Sequence, residues 1–177
     1  EAVEDCKVFQ VRRVHARSPH TGRVHPFYRL ESSDWVNVVP LTAEGQVVMV
    51  RQFRHGARAV TLEIPGGIVD PGESPAEAAA RELLEETGYG RGLLEPLGSL
   101  NPNPALFGNR VYSFVARGVE RVGEVANTEF EETAVQLVPW REVPGLVQAG
   151  EVDHALVIAA FHWLALAGER PDGARTP

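Results

Sequence analysis

The chain has 177 residues, 44% of them apolar and 23% charged, which is the balance of one soluble globular domain and excludes a disordered chain. Its 24 acidic and 17 basic side chains leave a net charge of -7, the wrong sign for a general nucleic-acid binder, so no nucleic-acid partner is expected. The single cysteine, Cys6, excludes an intrachain disulfide and a cysteine-rich zinc site. The longest apolar run, 155–168, is too short for a membrane span and suits a buried helix. No secretory signal opens the chain, so the expected location is the cytoplasm.

Short β-type runs fill the first third. Strands are expected at 8–14, 27–30, 35–39, 46–51 and 60–64, with Ala43-Glu44-Gly45 as a hairpin turn and Pro65-Gly66-Gly67 as a stop. The strongest helix follows. Ser74 is an N-cap, Pro75 suits the first helical position, Glu77 completes a capping box and Gly88 is a C-terminal stop. Further strands are expected at 93–100, 111–116 and 134–138, then a short helix at 143–149 and a longer one at 153–166. Strands, helix, strands, helix is an α+β order with a mixed sheet between helices, not a regular βαβ alternation. The tail, 169–177, has almost nothing apolar and reads as a loose end.

The chemistry concentrates on the 74–88 helix. A helical wheel puts Ala76, Ala79, Ala80, Leu83 and Leu84 on a core face and Glu82, Glu85 and Glu86 on the other. Like charges at these spacings repel by roughly 0.2–0.5 kcal/mol per pair. Glu85 and Glu86 also sit at the helix C-terminus, where the macrodipole disfavours anions. A solvated acidic face is the bland explanation. Three glutamates at the unfavourable end, beside Arg81 and after a glycine loop, fit a hard cation better, because Mg²⁺ takes carboxylate oxygens, waters and phosphate oxygens.

Read as one string, 67–89 is G-x5-E-x7-R-E-L-x-E-E-x-G-Y, which resembles the signature of the Nudix hydrolases. Seven positions are fixed: Gly67, Glu73, Arg81, Glu82, Glu85, Glu86 and Gly88. A chance match is on the order of one in 10^8 per start position at average residue usage. Tyr89 takes a final slot that is usually aliphatic.

The resemblance implies an α/β/α sandwich with a mixed sheet. It implies two or three Mg²⁺ or Mn²⁺ ions held by Glu82, Glu85, Glu86 and the backbone carbonyl of Gly66. Arg81 and Glu73 would pair to brace the loop and orient the ligand carboxylates. The implied reaction is hydrolysis of a nucleoside diphosphate linked to another group. Residues 50–54 and 62–67 look like the ADP-ribose and nucleotide-sugar pyrophosphatase branch. There Arg51 and Arg54 supply local cations for a diphosphate, Arg51 being preferred, and on a regular strand they point to opposite faces. Glu63 either recognises base or ribose or pairs with one of those arginines. Pro104 lies 15 residues past Tyr89, as in ADP-ribose pyrophosphatases, but Ala105, Asn109 and Arg110 depart from that pattern towards broader nucleotide-sugar hydrolases. A loop glutamate, Glu129 first and Glu131 second, is expected to be the catalytic base.

Trp35, Phe27, Tyr28 and Phe53 are candidates for base stacking, with core or interface packing as the alternative. His154 and His162 are expected to cap or pack. Residues 1–33 read as a β-rich extension that pairs a homodimer, 34–168 as the catalytic domain and 169–177 as the tail. The leading function is a metal-dependent pyrophosphatase of an ADP-ribose-like nucleotide sugar. The alternatives are a non-catalytic nucleotide-sugar sensor, or a hydrolase of nucleoside triphosphates or coenzyme A.

Overall fold

The computed structural model describes residues 2–127 and 132–168. An N-terminal sheet comes first: β1 (Ala2–Asp5), β2 (Gln10–Arg17) and β3 (Val24–Glu31) run antiparallel in that order. A seven-stranded sheet follows. Its path is β12 (Thr133–Pro139), β5 (Gln46–Arg54), β4 (Trp35–Leu41), β10 (Val111–Arg117) and β9 (Leu93–Leu100). Two short strands join it, β6 (Ala59–Glu63) on β5 and β7 (Gly66–Ile68) on β4. Strands β4 and β10 are parallel and the other pairs antiparallel, so the sheet is mixed. A two-residue pair, β8 (Tyr89–Gly90) with β11 (Glu120–Arg121), lies apart.

Both faces of the large sheet are buried, which explains why β4 and β5 are almost uninterrupted apolar runs. Alternate side chains go to opposite layers. Val36, Val38 and Val48 pack with Ala78, Ala79 and Leu83 of α1 (Pro75–Thr87). Val39, Leu41, Val47 and Met49 pack with α2 (Val143–Ala149) and α3 (Ala155–Leu166), chiefly through Val143, Val157, Phe161 and Leu164. This is an α/β/α sandwich of the α+β class. On β9, Gly98 gives the Trp163 ring a seat that any Cβ would fill.

The turn at Gly45 has φ 76°, and Gly45 donates its N–H to Thr42 O at 3.0 Å, the tight hairpin its residues promise. Four short strands, β1, β7, β8 and β11, leave no pattern in the sequence. Of these, β7 consists of Gly66, Gly67 and Ile68, too short and too glycine-rich to show a period. Among the described residues, no helix is long and apolar enough to cross a membrane.

Candidate active site

The helix that carries the glutamates is built as its sequence dictates. Glu77 donates its N–H to Ser74 Oγ at 3.3 Å, and Ser74 donates its N–H back to Glu77 Oε2 at 2.8 Å. Gly88 closes the helix in the left-handed region, φ 70°, donating its N–H to Leu84 O. The faces, however, differ from the wheel. Ala76, Ala80 and Leu84 are exposed, while Glu82 and Glu86 are buried with Ala78, Ala79, Leu83 and Thr87. Sorting by polarity assumes that carboxylates seek water. Here two of them lie on the packed side, facing the β7 backbone. Gly66 donates its N–H to Glu86 Oε2 at 2.9 Å, and a Cβ at Gly67 would overlap the Glu82 carboxylate. Glu85 alone of the three stays about half exposed.

Arg81 is the electrostatic hub. It donates Nε to Glu73 Oε1 and Nη2 to Glu73 Oε2, each at 3.0 Å, and Nη2 to Ile68 O at 3.0 Å. Nη1 reaches Glu82 Oε1 at 2.8 Å and Glu85 Oε2 at 3.2 Å. One guanidinium thus ties the β7 strand, the preceding loop and the helix together. The hydrogen bonds from Arg81 hold the Glu73 carboxyl below the usual glutamate range, and Glu73 in turn pushes the Arg81 pKa up. Of the net charge of -7, residues 63–86 hold seven acids against one base. Such a concentration of anions calls for cations.

The donor set suits a divalent cation. Among the described residues no three acidic, histidine or cysteine groups form a ready cage, since Arg81 draws Glu82 and Glu85 towards itself. Mg²⁺ needs no such cage; it takes one or two carboxylates and fills its octahedron with water and substrate phosphate. The glycine pair lets backbone and carboxylates approach closely enough to share an ion.

A cavity of about 330 Å³ adjoins the other side of that glycine pair. Its walls include Trp35, Asn37, Arg54, Glu63, Gly66, Gly67 and His154. Strand register decides which arginine arrives. Gln52 faces Thr61, and Arg54 and Glu63 lie diagonally on the same side of the β5–β6 pair. Arg54 donates Nε and Nη2 to the two Glu63 oxygens, each at 2.8 Å. Arg51 points the other way and donates Nε to Gln136 Oε1 at 2.7 Å, outside the cavity walls. Burial alone would raise the Glu63 pKa, but the hydrogen bonds from Arg54 and Thr61 outweigh it and hold the carboxyl low.

Pro104 is exposed in a loop whose Leu106 and Gly108 bond to Leu30 of β3, away from the cavity walls. Trp35 lines the cavity and meets Phe107 edge-on at 5.4 Å, whereas Phe27, Tyr28 and Phe53 are about half exposed elsewhere. Asn37 and His154 also line the cavity, outside the residues the sequence marks for the site. Asn37 interrupts an apolar strand, a signal that could have marked it; His154 carries none. Asn37 ties β4 to α3 by donating Nδ2 to Leu156 O at 3.2 Å.

Glu129 and Glu131 lie outside the described residues. Their flanks are anchored to the last turn of α1: Ala126 donates its N–H to Glu85 O at 2.7 Å, and Thr133 donates Oγ1 to Glu86 O at 2.9 Å. These bonds also satisfy carbonyls that a helix end leaves orphaned.

The NUDIX domain profile matches residues 33–161. The chain belongs to the Nudix family. It is 34% identical to an ADP-ribose pyrophosphatase of Bacillus subtilis over 134 residues, 74% of this chain and 71% of that protein. It is 30% identical to an ADP-ribose pyrophosphatase of Mycobacterium tuberculosis over 161 residues, 90% of this chain and 77% of that protein. The crystal structure of an ADP compounds hydrolase superposes with a TM-score of 0.80 at 25% identity, covering 95% of this chain and 92% of that one. In Nudix terms, the family signature runs from Gly67 on β7 through the whole of α1, and the Arg81 hub stands at its centre. Nudix hydrolases use divalent metal, which agrees with the oxygen donors at Glu82, Glu85 and Glu86.

Proposed function

We propose that this Nudix protein hydrolyses the diphosphate of an ADP-sugar such as ADP-ribose, giving AMP and a sugar phosphate. One observation carries the reading: the carboxylate face of α1 and the Arg54 cavity meet at the same two residues, Gly66 and Gly67. A diphosphate lying over that glycine pair would have metal ligands on one side and a pocket for an attached group on the other. The names of the relatives support the adenosine diphosphate part.

In this reading Glu82, Glu85, Glu86 and the Gly66 carbonyl would hold Mg²⁺ or Mn²⁺, two or three ions. Bound ions would neutralise diphosphate charge and supply an activated water. Arg81 with Glu73 keeps the carboxylates oriented towards the glycine pair. Arg54 contacts a phosphate oxygen, and Glu63 acts through Arg54. Glu129, or failing that Glu131, takes the proton of the attacking water. The water oxygen bonds to one phosphorus as the bridging P–O bond breaks, and the leaving phosphate carries the electron pair. Arg51, beside Gln136 of β12, and Pro104, in the loop bonded to β3, bind substrate from outside the described cavity. Residues 1–33 serve as a dimerisation extension, 34–168 as the catalytic domain and 169–177 as a tail, in a cytoplasmic homodimer.

The test is a hydrolysis panel with ADP-ribose, ADP-glucose, GDP-mannose, NADH, coenzyme A and a nucleoside triphosphate, with Mg²⁺ and with EDTA. AMP release from the ADP-sugars that stops in EDTA is expected, and Glu85→Gln should lower turnover by about 10²-fold or more, the scale of losing one group that stabilises transition-state charge. Preference for the triphosphate or coenzyme A, or activity unchanged by Glu85→Gln, would overturn the reading. Binding without turnover would point to a sensor.

A further inference from the structure

Thr61 lies in the middle of β6, between exposed Val60 and buried Leu62, and nothing in its spacing marks it. Its hydroxyl oxygen is 2.6 Å from Glu63 Oε1 and 3.2 Å from Gln52 O. A hydroxyl has one proton, and the nearer, charged acceptor takes it. Glu63 therefore accepts from Thr61 on one oxygen and from the Arg54 fork on both. The carboxylate side chain is 3% exposed, while that of Arg54 is 40% exposed at the cavity.

A buried ion pair is a poor way to gain stability, because desolvation offsets the attraction and an apolar pair would serve as well. It is a good way to fix direction. A guanidinium is planar with five N–H donors, and a two-pronged carboxylate engages two of them and sets the plane of the rest. Fixing Glu63 thus fixes Arg54, and Thr61 fixes Glu63. We propose that Thr61 and Glu63 are positioning residues that hold the Arg54 guanidinium in the orientation needed to bind a phosphate oxygen of the substrate. This inference rests on the nucleotide-sugar reading above.

The experiment uses the full chain and two readouts: AMP affinity by calorimetry, which needs no turnover, and the steady-state KM and kcat for ADP-ribose. A contact made equally in ground and transition state appears in KM with kcat preserved. Thr61→Val should weaken AMP binding and raise KM by about fivefold or more with kcat within about twofold, the loss expected for a hydrogen bond to a charged group. Thr61→Ser, which keeps the hydroxyl, should restore both. In an Arg54→Ala background Thr61→Val should add no further loss. Equal losses in Thr61→Ser and Thr61→Val, an additive loss in the Arg54→Ala background, or unchanged AMP affinity would each overturn the proposal. Glu63→Gln should weaken AMP binding at least as much as Thr61→Val, and should it fail to fold, the threonine variants decide alone. A wild-type protein that binds AMP but hydrolyses no ADP-sugar would defeat the functional reading and leave the affinity test of this one intact.

Discussion

Gly67 has no room for a side chain, because the Glu82 carboxylate occupies the place of its Cβ. Gly67→Ala should therefore displace Glu82 and lower turnover by about tenfold or more, while the thermal midpoint moves little; the principle is that small misplacements of reacting groups have large rate effects. A fully active Gly67→Ala would show that Glu82 can retreat without consequence. Glu63 supplies the second residue-scale prediction. Its folded pKa is below the ordinary value of 4.5, so the carboxylate adds stability that is complete above that value and lost as pH falls through the lower folded one. Thermal melts of wild type and Glu63→Gln should differ most near neutrality and draw together as the pH falls below 4.5 and through the lower folded value. A gap that widens in acid would contradict the Arg54 and Thr61 bonding. Of the candidate residues, those inside the family signature were legible because each has a fixed spacing along one short loop and helix. Arg54 over Arg51 was not, since only the β5–β6 register says which side of the strand faces the cavity.

Helix α1 is the element whose ends can be read residue by residue, and its stability should follow its cap. Ser74→Ala removes the Oγ acceptor of the Glu77 N–H, leaves only the backbone N–H bond to the Glu77 carboxylate, and should cost about 1 kcal/mol. For a domain of this size that lowers the melting midpoint by roughly 2–4 °C. Activity should be unchanged, because Ser74 is exposed at the end of the helix away from Glu82, Glu85 and Glu86. A large activity loss in Ser74→Ala would mean that the cap, and not Arg81, sets the carboxylate positions. The opposite lesson comes from the face of the same helix. Leu84 is 44% exposed and Glu86 is 5% exposed. An apolar-in, polar-out wheel fails there because the neighbour of α1 at its centre is a glycine backbone with N–H groups to offer, not a wall of side chains. The strand β7 leaves no mark in the sequence for the same reason: it has no side-chain pattern and exists through its pairing with β4.

At the scale of the molecule, the N-terminal sheet is the part whose own packing explains it least. Along β3, Phe27 is 53% and Tyr28 56% exposed, and Val24 beside them is 47% exposed. A homodimer that covers these residues would explain them, since large apolar groups gathered on one sheet mark interaction surfaces. Light scattering should then give about twice the chain mass of 19.3 kDa, and Phe27→Asp with Tyr28→Asp should halve it. A monomer in solution would remove that role from residues 1–33.

The chain is acidic, and most of its excess charge sits in one loop and helix. What the sequence by itself determined is the family, the reaction class and the helix with its caps. Each of these depends on residues close together in the chain, where spacing and helical geometry act directly. Which carboxylates are buried, which arginine reaches the cavity, how Asn37 and His154 come beside it and how Thr61 meets Glu63 were decided by tertiary structure alone. Those depend on strand register and on what lies across from each face, and neither leaves a period in the sequence.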